Sequence, residues 1–222
     1  VVRLGGGALG NRDTTREDLV YLQQRGESLV VVHGGAKVVT EWLSNQGIPT
    51  RFVDGERVTD KATLEMVTAI LAGLVNKEIV AAINHLGGQA VGISGGDGSL
   101  IQGRIKNEEM GDMGTGVKVN VAPLTVLLQS GYIPVVAPVS LHTFDRPDKA
   151  PPILNINGDP VAGEISAAIG AERLIFLTDV AGICDQSGKL LPQLSPAEAE
   201  ALIASGVASK GMVPKIKACL RA

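Results

Sequence analysis

Val1-Val2-Arg3-Leu4-Gly5-Gly6-Gly7-Ala8, answered by Val30-Val31-Val32-His33-Gly34-Gly35, is the pair of stretches on which the fold turns. Each is a short valine-containing run, fit for a buried strand, that stops at consecutive glycines. A segment of helical periodicity follows each one. A strand that ends in glycine and feeds a helix leaves backbone N–H groups free at its carboxyl end, with the helix dipole behind them. Such a turn seats a phosphate. One glycine pair alone marks only a tight turn. Two strand-bound pairs so close together point to a pocket built for an anion passing between two ligands.

Strands and helices alternate through most of the chain. Helices are expected at 15–25, 37–46, 60–86, 123–130, 158–169 and 196–204, and buried strands at 29–32, 90–93, 133–136 and 174–177. That alternation predicts an α/β fold, an open αβα sandwich with a mainly parallel central sheet. Polar-apolar alternation at 49–53 and 141–144 reads as hairpins on a rim, and Trp42 as part of the inner face of its helix. The run from Asp60 to Leu86 starts at a cap, Thr59 or Asp60. It is apolar on both faces through Leu71-Ala72-Gly73-Leu74-Val75, which favours a subunit interface over a simple core helix. The charged, proline-rich turn 145–152 marks a lobe boundary, dividing the chain into 1–152 and 153–222.

Composition narrows the class. The chain has 222 residues, 45% hydrophobic and 19% charged, which fits a folded, soluble protein with a sizeable core. Its net charge of −3 disfavours nucleic acid as the main partner. The two cysteines, Cys184 and Cys219, show neither metal spacing nor a disulfide framework, in keeping with a reducing cytoplasm. No apolar run reads as a membrane span and no signal peptide precedes the first strand. The start inside a strand and the helical run 213–222 read as the ends of a piece of a longer chain.

Four further segments carry chemistry. Arg57, in Gly55-Glu56-Arg57-Val58-Thr59, stands beside a predicted hairpin where its guanidinium can clamp a carboxylate with two parallel hydrogen bonds. In Leu154-Asn155-Ile156-Asn157-Gly158-Asp159, alternation places Asn155 and Asn157 on one side of a strand, with Asp159 at a helix start. Thr178-Asp179-Val180-Ala181-Gly182 ends another buried strand, at the sheet edge where ligands of open α/β folds collect. Gly211-Met212-Val213-Pro214-Lys215 puts a lysine in the first turn of a helix, which is unfavourable unless an anion sits there too. His33, His85 and His142 share no metal-ligand pattern and read as structural, and no metal site is expected.

Taken in order, these motifs resemble the amino acid kinase family. Within it they are most similar to the branch that phosphorylates the side-chain carboxylate of N-acetyl-L-glutamate in arginine biosynthesis. The likeness covers essentially the whole chain and rests on Arg3-Leu4-Gly5-Gly6, His33-Gly34-Gly35-Ala36, Gly55-Glu56-Arg57-Val58-Thr59 and Leu71-Ala72-Gly73-Leu74-Val75-Asn76-Lys77. It continues through Asn155-Ile156-Asn157-Gly158-Asp159, Thr178-Asp179-Val180-Ala181-Gly182 and Gly211-Met212-Val213-Pro214-Lys215. The resemblance implies direct γ-phosphoryl transfer from ATP, with Mg2+ carried by the nucleotide. It also implies a cytoplasmic homodimer formed through the helix at 60–86, with no nucleic acid or membrane partner.

By position, Gly34, Gly35, Ala36, Arg57 and Asn155 would hold the acyl amino acid over the first lobe, Arg57 taking its α-carboxylate. Gly5 and Gly6, the loop Asp179, Val180, Ala181, Gly182, Ile183 and Cys184, and Val207, Ala208 and Ser209 would hold ATP. Arg3 and Lys215 would flank the moving phosphoryl group, with Asp159 holding both cations in place. Three departures stand out. Arg3 replaces the family's lysine, Ala36 replaces its third glycine, and the family's strands beyond Lys215 are not in this sequence. Two rivals share the motifs: a kinase for carrier-protein-linked aminoadipate or glutamate in lysine biosynthesis, and a ligand-binding relative without turnover.

Overall fold

The first strand, β1 (Val2–Leu4), lies between β2 (Val31–His33) and β11 (Ile175–Leu177) and pairs in parallel with both. Beyond β2 come β8 (Ile133–Ala137) and then β5 (Ala90–Ser94), again parallel, giving the order β11-β1-β2-β8-β5. The structure is a computed structural model that describes residues 1–5, 14–208 and 211–222. Parallel neighbours need crossover connections, and helices supply them, so both faces of the sheet are covered. Period-two alternation sorts the side chains between two cores. Val31 and Val135 join one core with Val39, Leu43, Ile79 and Ile83, whereas Val30, Val32 and Val136 join another with Leu124, Val161 and Ile165. The expected αβα sandwich with a mainly parallel sheet is the observed architecture.

Helices form close to where local signals place them: α1 (Thr15–Gln24), α2 (Ala36–Asn45), α5 (Ala122–Gln129), α6 (Gly158–Ile169), α7 (Pro196–Ala204) and α8 (Val213–Arg221). The inner face of α2 carries Val39 and Leu43, while Trp42 is 42% exposed. Its expected inward placement is therefore corrected: Trp42 lies next to that stripe and is exposed rather than buried.

The long helix at Lys61–His85 has three parts, α3 (Lys61–Thr68), a π-helical stretch Ala69–Val75, and α4 (Asn76–His85). Asp60 caps it by accepting from Thr63 N–H at 2.8 Å, and that bond holds its carboxyl below the usual range. Contrary to the sequence expectation, this helix does have the length and hydropathy of a membrane span, with a mean hydropathy of 1.7. Its Val67, Ile70, Leu71, Val75, Ile79 and Ile83 are nevertheless packed into the first core, which accounts for much of that apolar character.

A second unit of strands positions the site. Strand β9 (Val139–His142), expected as a rim hairpin, instead belongs to a closed barrel with β10 (Ile153–Ile156), β7 (Met113–Val119) and β6 (Ile101–Ile105). β10 follows the proline-rich turn yet pairs antiparallel with β9 and parallel with β7. The other predicted hairpin does form, from β3 (Phe52–Val53) and β4 (Glu56–Arg57). Asp54 and Gly55 make its turn, both with positive φ, as two-residue hairpin loops demand.

Candidate active site

A cavity of about 310 Å³ opens where β1, β2 and β10 end, roofed by the β3–β4 hairpin. Arg3, Gly34, Gly35, Ala36, Arg57, Asn155 and Asp179 all line it, beside Lys37, Phe52, Leu71, Asn157 and Gly158. Gly35 caps α2 with φ +151°, and a Cβ there would lie 2.7 Å from Leu71 Cδ2 on the π-helical stretch. Only glycine satisfies both demands. The first turn of α2, which begins at Ala36, thereby faces the cavity with its unpaired N–H groups.

Arg57 is buried at the other side. Its Nη2 donates to Ala36 O at 3.0 Å and to Thr40 Oγ1 at 2.8 Å, and the guanidinium stacks over Phe52 at 4.7 Å. Nη1 is buried with no partner among the described residues. The expected two-bond clamp is therefore corrected, because one amino group is already bound to the protein. The other is an unsatisfied buried donor, a cost of about 1–3 kcal/mol that a carboxylate ligand relieves.

Asn155, on β10, donates from Nδ2 to Thr59 Oγ1 at 2.9 Å, and Thr59 Oγ1 donates to Arg57 O at 2.9 Å. Thr59 thus ties the barrel strand to the hairpin rather than capping the long helix. Asn157 is not on the strand, which ends at Ile156. It caps α6, accepting from Asp159 N–H at 3.0 Å, and donates to Glu56 Oε1 at 3.3 Å. Glu56 also pairs with Lys106, which pins the hairpin to the barrel.

Asp159 stands in the first turn of α6 and is almost fully buried. One carboxylate oxygen lies 2.9 Å from Arg3 Nε and the other 2.9 Å from Lys215 Nζ in the first turn of α8. The contact between Arg3 and Asp159 is an ion pair, and its charge works against the burial of the guanidinium. An anion does stand at the start of α8, as Lys215 requires, but in the first instance it is Asp159 rather than a phosphate. Arg3 also donates from Nη1 to Leu4 O, and its guanidinium slots between two glycines. A Cβ at Gly34 would meet Nη1 and Nη2 at 3.2 Å, and one at Gly158 would meet Cζ at 3.0 Å.

His33, at the end of β2, is fully buried, and burial pushes its pKa down to about 4. In the folded protein it stays neutral where an unfolded chain, with pKa 6.5, takes up a proton. Stability from this residue is complete above pH 6.5 and is lost as pH falls toward 4. The expected loss, relative to a His33→Asn variant, is about 3 kcal/mol. Urea melts of both proteins across that range check it, and parallel curves would contradict it.

The residues expected to hold nucleotide are less concentrated. Gly5 N–H donates to Leu177 O at 2.7 Å at the β1–β11 seam. Of the loop, Asp179 alone lines the cavity, whereas Val180 and Ala181 are exposed and Cys184 bridges to Leu190. Gly182 has φ +148° and Val207 is half-buried. Ile183 and Ala208 pack into a small core with Ala199 and Ile216. Gly6 and Ser209 lie outside the described residues. A wider cleft of about 730 Å³ lies beyond Glu56, but its wall includes neither Arg3 nor Gly34.

A carboxylate paired with two cations, one of which, Arg3, lines a cavity that also holds an unpartnered arginine donor, suits phosphoryl or carboxylate groups. The Amino acid kinase family profile matches residues 1–222, and the chain belongs to that family. A relative named acetylglutamate kinase, from Dehalococcoides mccartyi (strain CBDB1), is 50% identical over all of this chain and 82% of its own length. Another of that name, from Cereibacter sphaeroides (strain ATCC 17029 / ATH 2.4.9), is 46% identical over all of this chain and 75% of its own. Among solved structures, smu.665 from Streptococcus mutans UA159 superposes with a TM-score of 0.85 at 24% identity, covering 99% of this chain and 88% of that one. N-acetylglutamate synthase from Neisseria gonorrhoeae, complexed with coenzyme A and N-acetyl-glutamate, does so with 0.80 at 24% identity, covering 99% and 50%. Both share the fold.

Proposed function

We propose that the chain transfers the γ-phosphoryl group of ATP to the side-chain carboxylate of N-acetyl-L-glutamate, giving N-acetylglutamyl 5-phosphate, a step of arginine biosynthesis in the cytoplasm. The observation that carries this reading is Asp159, holding Arg3 and Lys215 on its two oxygens beside a cavity whose far wall offers the free Nη1 of Arg57. The acceptor carboxylate is already ionised and needs no base. Its oxygen bonds to the γ-phosphorus as the bond to the β–γ bridging oxygen breaks, and ADP leaves. What the protein supplies is position and neutralisation of the charge on the transferring group.

In this reading Gly34, Gly35, Ala36, Arg57 and Asn155 hold the acyl amino acid in the lobe 1–152. The lobe 153–222 holds MgATP through Asp179, Val180, Ala181, Gly182, Ile183, Cys184, Val207, Ala208 and Ser209, helped by Gly5 and Gly6. Mg2+ arrives on the nucleotide. The decisive test is Arg57→Ala, read by steady-state kinetics and by calorimetric titration with each substrate. Loss of a charge-assisted contact is expected to weaken N-acetylglutamate binding by about 1.5–3 kcal/mol while ATP binding changes little. Equal losses for both substrates would remove Arg57 from the acceptor site.

The protein is also proposed to act as a homodimer, joined by the long helix packing on its two-fold mate. Leu71 is buried on the cavity wall and takes no part, but Leu74 on the π-helical stretch is only half-buried. Leu74→Lys is accordingly expected to sediment as a monomer at micromolar concentration. A wild-type chain that is itself monomeric there would overturn the assembly.

A further inference from the structure

His33 has no part in the transfer described above, yet its ring is engaged at both nitrogens. Nδ1 lies 2.7 Å from the Gly34 carbonyl oxygen, and Nε2 lies 3.2 Å from Asn76 Nδ2. A carbonyl only accepts and an amide NH2 only donates, so the neutral ring carries its proton on Nδ1. Asn76 cannot turn over to accept that proton elsewhere. Its Nδ2 also donates to Val135 O at 2.8 Å, and its Oδ1 accepts from Lys77 Nζ at 2.9 Å. The tautomer is thereby locked from the long helix.

At the other end of this relay is the Gly34–Gly35 peptide. In a trans peptide the C=O and N–H point opposite ways. Holding the Gly34 oxygen toward the imidazole turns the Gly35 N–H away from it, and both glycines form the cavity wall. That N–H has no acceptor among the described residues. Glycine at 34 and 35 leaves this peptide free to rotate unless something fixes it, and a rigid ring bonded on both sides does so without rotamer freedom.

We propose that His33 is a positioning residue: its Nδ1–H, locked by Asn76, sets the Gly34–Gly35 peptide so that the Gly35 N–H donates to the reacting carboxylate of the acceptor. The identity of that occupant rests on the function proposed above. The orientation of the peptide does not.

Two substitutions separate this role from simple packing. His33→Asn keeps a donor near the place of Nδ1 but loses the acceptor for Asn76. His33→Gln keeps an acceptor near the place of Nε2 but loses the donor to Gly34. In calorimetric titrations, His33→Asn is expected to bind N-acetylglutamate within about threefold of wild type and His33→Gln about tenfold or more weakly, with ATP binding following neither. The Gly35 amide resonance of the unliganded protein should move in His33→Gln and stay near its place in His33→Asn.

Equal losses in the two variants, the reverse order, or an unmoved Gly35 resonance in His33→Gln would overturn the proposal. A wild-type chain that fails to bind N-acetylglutamate defeats the proposed function, and the Gly35 resonance then decides this inference alone. If neither variant folds, the ring nitrogen resonances of wild type decide it, since a proton found on Nε2 contradicts the geometry.

Discussion

Asp159→Asn is expected to lower kcat by roughly 10²–10³-fold and to lower the unfolding free energy by about 3–5 kcal/mol. The carboxylate stands almost fully buried between Arg3 and Lys215, 2.9 Å from each. Asparagine fills the same space and leaves the cap of α6, Asn157 accepting from the backbone N–H at 159, in place, so the change isolates charge. Two cations then face each other without their shared counter-ion. Arg3 bears most of the loss, because its side chain is 10% exposed whereas that of Lys215 is 30% exposed and partly screened by water. Both would drift from the positions where charge develops on the transferring phosphoryl. Single-turnover kinetics and urea melts measure the two effects separately. A variant within threefold of wild-type kcat would show that the cations are held by something other than this carboxylate.

The opposite sign is expected for Arg3→Lys, a rise in kcat with little change in ATP affinity. The guanidinium of Arg3 is committed: Nη1 donates to Leu4 O, Nε faces Asp159, and the planar group is slotted between Gly34 and Gly158. Burial also pulls its pKa below the ordinary arginine value, a sign that water does little to compensate the charge. A lysine ammonium is a point charge on a flexible stem, free to approach one phosphoryl oxygen. Only contacts that strengthen in the transition state raise the rate. A misplacement of about 1 Å costs on the order of a hundredfold, which sets the upper size of the gain. If kcat is unchanged or falls, arginine in its glycine slot is a working solution and the substitution carries no impairment.

Local signals explain what was legible in the chain. α6 and α7 form over the residues expected because their starts are written in neighbouring side chains, Asn157 in one case and the Ser195–Glu198 capping box with Pro196 in the other. The parallel strands were legible because their short apolar runs end in turn residues. The barrel was not, since Gly103, Gly114 and Gly116 interrupt the alternation of β6 and β7 and their register is set by partners far along the chain. Neither was the π-helical stretch, which lies inside a run apolar on both faces and therefore shows no phase to shift. At the site, Arg3, Arg57, Asn155 and Asp159 stood at motif positions, and the cavity gathers Arg3, Arg57 and Asn155 with Asp159 held against Arg3. Thr59 and Glu56 stood in the same motif as Arg57, but their roles were not legible, because those roles depend on Asn155 and Lys106, partners distant in sequence.

The slot around Arg3 also constrains how this protein can change over time. An alanine at Gly34 or Gly158 would set its methyl 3.2 Å or 3.0 Å from the guanidinium, so either substitution requires the Arg3 side chain to give by a few tenths of an ångström. With a narrower side chain at position 3, the same alanines would lose that tight contact. The three positions are therefore coupled, since the room for a side chain at 34 or 158 depends on what stands at position 3.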